Sequence, residues 1–360
     1  MNLPGSIVAQ IGAALAALAL TVALVEPARR LALRGGATDR PAAHKAHHRP
    51  TPYLGGVAIV AGTLVPTVLV ARHTGPGFWV TAAAAAAAAA LGLWDDLRSL
   101  SARTRLAVET ILAVLVTATG GRLELVEPRW LDAGLTICWI VVVTNSFNLL
   151  DNADGALATV AAVTALPLAA VTYAGGQPAL GLLLICLSLA CTGFLPHNTP
   201  PARIFMGDTG SLFIGLLIAA AAARARPARA GAYSHAATLL LLVFLAAVDT
   251  ALVVVSRRLH GRPLWQGGTD HVAHRLRRLG LTGNALVAVL LLVAAVSGLS
   301  AALVYDGLLP GPTTLVATAL AAAVLVAALL AVPGYPAVAT STVTGRRPLP
   351  RAHVASKSQP

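Results

Sequence analysis

The sequence predicts an all-α integral membrane protein. It has about eleven transmembrane helices, its N-terminus outside, its C-terminus in the cytoplasm and an active site built from cytoplasmic loops. Three observations carry this expectation. The 360 residues are 57% hydrophobic and 11% charged, where a soluble domain carries about 25% charged residues. The mean hydropathy is +0.76. The apolar residues also fall in runs near the roughly 20 residues a helix needs to cross hydrocarbon.

The first run, residues 6–25, lacks a basic segment before it, and its arginines follow it, so it reads as a first spanning helix and not as a signal peptide. Further runs centre on 55–71, 78–93, 105–119, 130–144, 156–173, 178–194, 211–223, 235–256, 283–305 and 313–332. The nine alanines at 82–90 suit close helix packing. "GGRLELVEPRW" alternates weakly, as a short outside hairpin would. Cys138, Cys186 and Cys191 all fall in the runs, which indicates neither a disulfide framework nor a zinc site. Residues 1–335 form one membrane domain, and the polar, proline-containing stretch 336–360 is expected to be a disordered cytoplasmic tail.

Charge placement sets the orientation. Twenty of the 26 Lys and Arg residues fall on the side assigned to the cytoplasm, six of them in 26–54 and six in 257–282. The positive-inside rule favours this arrangement, with "RARPARAG" a local exception. The net charge of +12 is thereby a membrane-facing bias and calls for no nucleic acid.

Five polar clusters interrupt the apolar pattern: "HKAHHRPTPYLGG", "WDDLRSLSARTR", "NSFNLLDNADG", "PPARIFMGDTGS" and "GRPLWQGGTDHVAHRLRRLG". Counting spans puts all five on the cytoplasmic side. Adjacent Asp95 and Asp96 repel unless a cation or proton intervenes, so they suit Mg²⁺ binding or proton acceptance. The plainer alternative is a solvated helix end beside Arg98, Arg103 and Arg105. Asn145, Asn148, Asp151 and Asp154 recur every three residues, close neighbours on a helix, and Gly155 offers a break. Such an edge suits Mg²⁺ and the donor groups of a nucleobase or ribose, or an interhelical hydrogen-bond network. Asp208 and Ser211 in "FMGDTGS" open a run where exposed N–H groups favour phosphate, although both are also ordinary helix caps.

His271 and His274 share a loop with Arg275, Arg277 and Arg278 and can bind phosphate or shuttle a proton; a basic lipid-facing loop is the alternative. Lys45 and His47 precede a turn set by Pro and Gly, and Lys45 is a phosphate contact or a juxtamembrane charge. Asp249 lies inside a run, where a carboxylate is a functional candidate or a buried partner to a histidine or arginine. Together these residues suggest phosphoryl transfer between a soluble nucleotide donor and a lipid acceptor.

"DRPAAHKAHHRPTPYLGG", "GLWDDLRSL", "NSFNLLDNADGALA", "FMGDTGSLFIG" and "DHVAHRLRRLGLT" resemble, in order and spacing, the motifs of the polyprenyl-phosphate N-acetylhexosamine-1-phosphate transferases. The resemblance runs from about residue 39 to 282. It implies a Mg²⁺-dependent enzyme, with Mn²⁺ an alternative, in which a polyprenyl phosphate attacks the β-phosphorus of a UDP-HexNAc and releases UMP. It implies Asp208 and Asp151 as metal ligands and Asp95, Asp96, Asp151, Asp154 and His274 as catalytic residues. Lys45, His47, Asn145, Asn148, Asp249, His271 and Arg275 would contact substrates.

The first loop and short last loop look more like the branch using UDP-GlcNAc than the one using UDP-MurNAc-pentapeptide. Asn152 and Ala156 depart from the family pattern, and Arg275 stands where another histidine is common. Further alternatives are a secondary transporter, against which the one-sided acids and lack of a repeat argue, and an inactive lipid-binding relative. The expected partners are the sugar nucleotide, the polyprenyl phosphate, the bilayer and a second copy in a homodimer.

Overall fold

The computed structural model describes residues 7–39, 51–71, 74–225, 231–264 and 267–334. Lys45, His47 and the tail 336–360 lie outside the described residues. The described chain is almost wholly helical. Its order is α1 (Ile7–Gly35), β1 (Thr38–Asp39), β2 (Thr51–Pro52), α2 (Gly55–Val70), α3 (Pro76–Leu97), α4 (Ala102–Ala118) and α5 (Arg129–Leu150). There follow α6 (Ala156–Ala174), α7 (Pro178–Asn198), α8 (Gly207–Arg224), α9 (Ala232–Leu242), α10 (Phe244–Leu259), α11 (Val272–Arg278), α12 (Gly283–Tyr305) and α13 (Gly311–Leu330).

Each of the eleven apolar runs is helical, with the run at 235–256 broken into α9 and α10, which meet at 73°. Among the described residues seven helices are long and apolar enough to cross a bilayer: α1, α3, α5, α6, α7, α12 and α13. The bent α9–α10 pair raises that number to eight. Helices α2, α4 and α8, of 16, 17 and 18 residues, fall outside that group.

Helix α8 is the axis of the bundle. Every residue from Thr209 to Ala223 is buried, enclosed by α2, α3, α5, α6 and α7. The alanine run gives α3 a smooth face, with Ala82, Ala84, Ala85, Ala88 and Ala89 buried. At its end Gly92 removes the last obstacle. A Cβ there would lie 2.1 Å from the carbonyl oxygen of Asp208, so only glycine lets α3 lie against the first turn of α8. That contact brings Asp95 and Asp96 to the α8 N-terminus.

Residues 121–128 form no strand, contrary to the alternation read from the sequence. Asp132, in the first turn of α5, instead accepts hydrogen bonds from Glu124 N (3.2 Å) and Leu125 N (2.9 Å). A buried carboxylate thus gathers the loop's N–H groups, which a hairpin would have paired across strands. A two-stranded antiparallel pairing occurs elsewhere, with Thr38 opposite Pro52 and Asp39 opposite Thr51.

Candidate active site

The ends of α3, α5 and α8 meet, and the loop before α8 is tied to the first polar motif. Phe205 N donates to Pro52 O (2.8 Å), while Gly55 N and Gly56 N donate to Phe205 O (3.0 Å) and Met206 O (2.9 Å). "TPYLGG" and "FMGD" are therefore one hydrogen-bonded unit.

The first N–H groups of a helix have no partner within it. At α8 they are served by a carboxylate from another helix. Asp96 Oδ1 accepts from Asp208 N (2.9 Å), and Asp96 Oδ2 accepts from Thr209 N (3.0 Å) and Thr209 Oγ1 (2.7 Å). The capping duty falls to Asp96, and the Asp208 side chain is left to face the space between helices.

There it meets α5 and α4. Asn148 donates Nδ2 to Asp208 Oδ1 (2.6 Å) and to Ser211 Oγ (2.8 Å). Arg105 Nη1 bonds both Asp208 Oδ2 (3.0 Å) and Asp95 Oδ2 (2.8 Å), and its Nη2 donates to Asn148 Oδ1 (3.1 Å). Asp95 Oδ1 also accepts from Leu100 N (2.6 Å), which closes the turn between α3 and α4. Four predicted residues, Asp95, Asp96, Asn148 and Asp208, thus form one network around a guanidinium.

Asp151 caps the C-terminal end of α5, and among the described residues its carboxylate makes no hydrogen bond. Burial, and then the negative charges of Asp208, Asp96 and Asp154, push it up to about 8. Asp154 is turned to the loop before α8 and accepts from Ala202 N (3.0 Å). Gly155, at φ +73°, makes the left-handed break anticipated from the sequence and opens α6. Asn145 lies one turn deeper on α5 and donates to Glu109 and to Val141 O (2.9 Å).

The last polar motif forms a second cluster. Asp249 is fully buried; its Oδ2 lies 2.8 Å from His271 Nδ1 and its Oδ1 accepts from Val272 N (2.7 Å) at the start of α11. It is a buried partner to a histidine, the second of the two roles read from its position. The His271 and His274 rings stand 6.1 Å apart, edge to face. Burial, then His271 and the Arg277 and Arg278 charges, hold His274 down at about 4, so its imidazole is neutral near pH 7.

Arg275 is turned inward. It is 1% exposed, and it donates to Leu329 O (2.7 Å) and Val332 O at the end of α13, to Asp270 O (3.0 Å) and to Ser256 Oγ (2.8 Å). A cation on orphan carbonyls at a helix C-terminus is a structural clamp, which leaves the substrate contact expected of Arg275 without support. No hydrogen bond or ion pair joins this cluster to the Asp208 network among the described residues.

Among the described residues, no three His, Cys, Asp or Glu side chains form a ready metal cage. Mg²⁺ does not need one; it commonly takes one or two carboxylates and fills its octahedron with waters and substrate phosphates. The donor set fits that pattern. It is made of oxygens, it already draws the Arg105 cation between two carboxylates, and it includes the unbonded carboxylate of Asp151.

Comparison with known proteins agrees with this chemistry. The glycosyl transferase family 4 profile matches residues 78–226, the span from α3 to just past α8. A Bacillus subtilis protein named as an undecaprenyl-phosphate N-acetylglucosaminyl 1-phosphate transferase is 30% identical over 292 residues, 78% of this chain and 81% of its own length. This chain belongs to that transferase family. A Mycobacterium tuberculosis decaprenyl-phosphate N-acetylglucosaminephosphotransferase is 31% identical over 332 residues, 80% of this chain and 82% of its own. A Streptomyces coelicolor protein named as a glycosyltransferase is 40% identical over 281 residues; the match covers 77% of this chain but 66% of that relative.

Two residues of this family member's site were not singled out from sequence. From sequence, Arg105 reads as part of a solvated helix end, and Glu109 lies inside an apolar run outside the five polar clusters. The rule that flagged Asp249, a carboxylate inside an apolar run, applies equally to Glu109.

Proposed function

We propose that the chain transfers an N-acetylhexosamine 1-phosphate, GlcNAc-1-phosphate above the alternatives, from a UDP-sugar to a polyprenyl phosphate. The reaction releases UMP and starts a lipid-linked glycan of the cell envelope. It takes place at the cytoplasmic face of the bacterial plasma membrane, in a chain that crosses eleven times with its N-terminus outside. The eleven helical runs and the excess of Lys and Arg on one side support that topology. The names of the Bacillus and Mycobacterium relatives support the N-acetylglucosamine donor and the polyprenyl acceptor.

The observation that carries the chemistry is that Asp96 caps α8 and so frees Asp208, which Asn148 then orients between helices. Asp208 and Asp151 would hold Mg²⁺, or Mn²⁺ in its place. A bound divalent ion supplies neutralisation of the diphosphate charge and of the charge that develops on the leaving group.

The residues of the chain do the rest. A phosphate oxygen of the acceptor attacks the β-phosphorus, the bond from that phosphorus to the bridging oxygen breaks, and UMP departs with that oxygen. A phosphate monoester has its second ionisation near pH 6, so the nucleophile is already dianionic near neutral pH and needs no strong base. This agrees with the use the fold makes of its aspartate pair. Asp96 fixes the start of α8 and Asp95 holds Arg105 and the following turn, both positioning roles. Asn148 presents the polar edge of α5 to the nucleotide, and Asn145, one turn deeper, supports that edge through Glu109. His274, neutral and set beside the Asp249–His271 pair, is available to donate its ring N–H to a phosphate oxygen, with Lys45 and His47 as further phosphate contacts.

The test uses the full chain in detergent with polyprenyl phosphate, Mg²⁺ and, separately, UDP-GlcNAc, UDP-GalNAc or UDP-MurNAc-pentapeptide. UMP release with sugar appearing on lipid is expected from UDP-GlcNAc. Product from UDP-MurNAc-pentapeptide alone overturns the donor assignment, and no UMP from any donor by folded protein overturns the reaction.

A further inference from the structure

Arg105 and Glu109 lie one turn apart on α4 and meet α5 as two successive rungs. The outer rung is Arg105 Nη2 to Asn148 Oδ1 (3.1 Å). The inner rung is Asn145 Nδ2 to Glu109 Oε2. The two rungs are unequally satisfied. Glu109 is 1% exposed, and its second oxygen, Oε1, is enclosed without a hydrogen-bond partner. Arg105, one turn away, is shared between two carboxylates through a single nitrogen, Asp95 Oδ2 at 2.8 Å and Asp208 Oδ2 at 3.0 Å.

A buried carboxylate oxygen with no donor is costly, and a cation next to it is the cheapest remedy. Side chains four apart on a helix are near neighbours, so an arginine reaches its own fourth neighbour by rotamer change alone. A guanidinium on Asp208 Oδ2 disfavours a divalent ion at the same oxygen, because the two positive groups repel.

We infer that Glu109 is the receiving counter-ion for Arg105. As Asp208 takes up a divalent cation, the guanidinium leaves Asp208 Oδ2 and turns to Glu109 Oε1, while Asn145 holds the glutamate in place. Arg105 is then a competitor of the metal ion, and Glu109 is a positioning residue that tips the competition toward the metal. This rests on the assignment of Asp208 to the cation.

The test is Mn²⁺ binding to the full chain in detergent, without nucleotide or lipid, read from the electron paramagnetic resonance signal of free Mn²⁺. Removing a competing charge at ion-pair distance changes affinity by about tenfold. Arg105→Gln is therefore expected to tighten Mn²⁺ about tenfold and Glu109→Gln to weaken it about tenfold. In the Arg105→Gln background, Glu109→Gln is expected to change affinity by less than about twofold, because its route of action is gone. Equal weakening by Glu109→Gln in both backgrounds would assign the effect to charge or packing alone and overturn the inference.

If Glu109→Gln does not fold, Arg105→Gln decides by itself: tightening supports the exchange, and unchanged or weaker binding refutes it. Asp208→Asn separates the two levels. Wild-type Mn²⁺ affinity in that variant overturns the metal assignment and this inference with it. Binding lost in Asp208→Asn yet unmoved by Arg105→Gln overturns the inference only.

Discussion

Replacing Gly92 by alanine puts a methyl group in place of a hydrogen where α3 and α8 have no room. The new Cβ would stand 2.1 Å from Asp208 O, 2.3 Å from Asp208 C and 2.6 Å from Thr209 N. All three are backbone atoms, so no side chain can swing away. Ordinary contact begins near 3.4 Å, and the helices must part by about 1.3 Å. The Asp96 hydrogen bonds to the α8 N-terminus, now 2.7 to 3.0 Å long, stretch with them.

Overpacking of this kind costs about 1–3 kcal/mol. A shift of about 1 Å in a reacting group can cost on the order of 100-fold in rate. Gly92→Ala is expected to lower UMP release at least about 100-fold and to lower the thermal melting midpoint in detergent. Gly134→Ala is the control, since a Cβ there meets nothing within 4 Å on its own helix face. Wild-type turnover and melting in Gly92→Ala would refute the claim that the α3–α8 contact positions the site.

Asp151, held up at about 8 from an ordinary 3.8, keeps a proton in the folded chain that the unfolded chain has lost. Its contribution to stability is present below pH 3.8 and falls as pH rises through 8. Asp151→Asn should therefore raise the melting midpoint, with a gain that grows from pH 4 to pH 8 in the presence of chelator, while it depresses turnover. His274 has the opposite sign: between 6.5 and about 4 the unfolded chain takes a proton that the folded chain refuses, so stability falls as pH drops through that window. His274→Gln should flatten the melting profile there. Arg275→Ala should cost about 1–3 kcal/mol or more by leaving buried carbonyls unpaired. It should therefore show in yield and melting, with the KM for the sugar nucleotide unchanged in the protein that folds.

Much of this architecture is legible in the chain. The eleven helical runs follow from apolar length, because a membrane leaves few ways to satisfy a backbone. The carboxylates of the site follow from their exclusion from apolar runs. What stayed hidden has physical reasons. The break at Val243 interrupts an apolar run with no proline or glycine to mark it. Length alone does not mark α8 as a span, because a helix sheathed by others need not match the lipid. Asp96 and Asp208 are both carboxylates at helix ends, and only their geometry tells which one caps α8. Arg275 reads as a basic loop residue until α13, more than fifty positions later, is seen to end on it.

The burial of α8 separates the chemistry from the bilayer. Only 17% of the spanning window of α1 and 11% of that of α13 is covered by protein, so these helices face the acyl chains and tilt when bilayer thickness changes. The helix that carries Asp208 touches no such surface over its whole length from Thr209 to Ala223. Hydrophobic mismatch therefore acts first on helices at the rim of the bundle, and the helix that carries Asp208 meets it only through its neighbours.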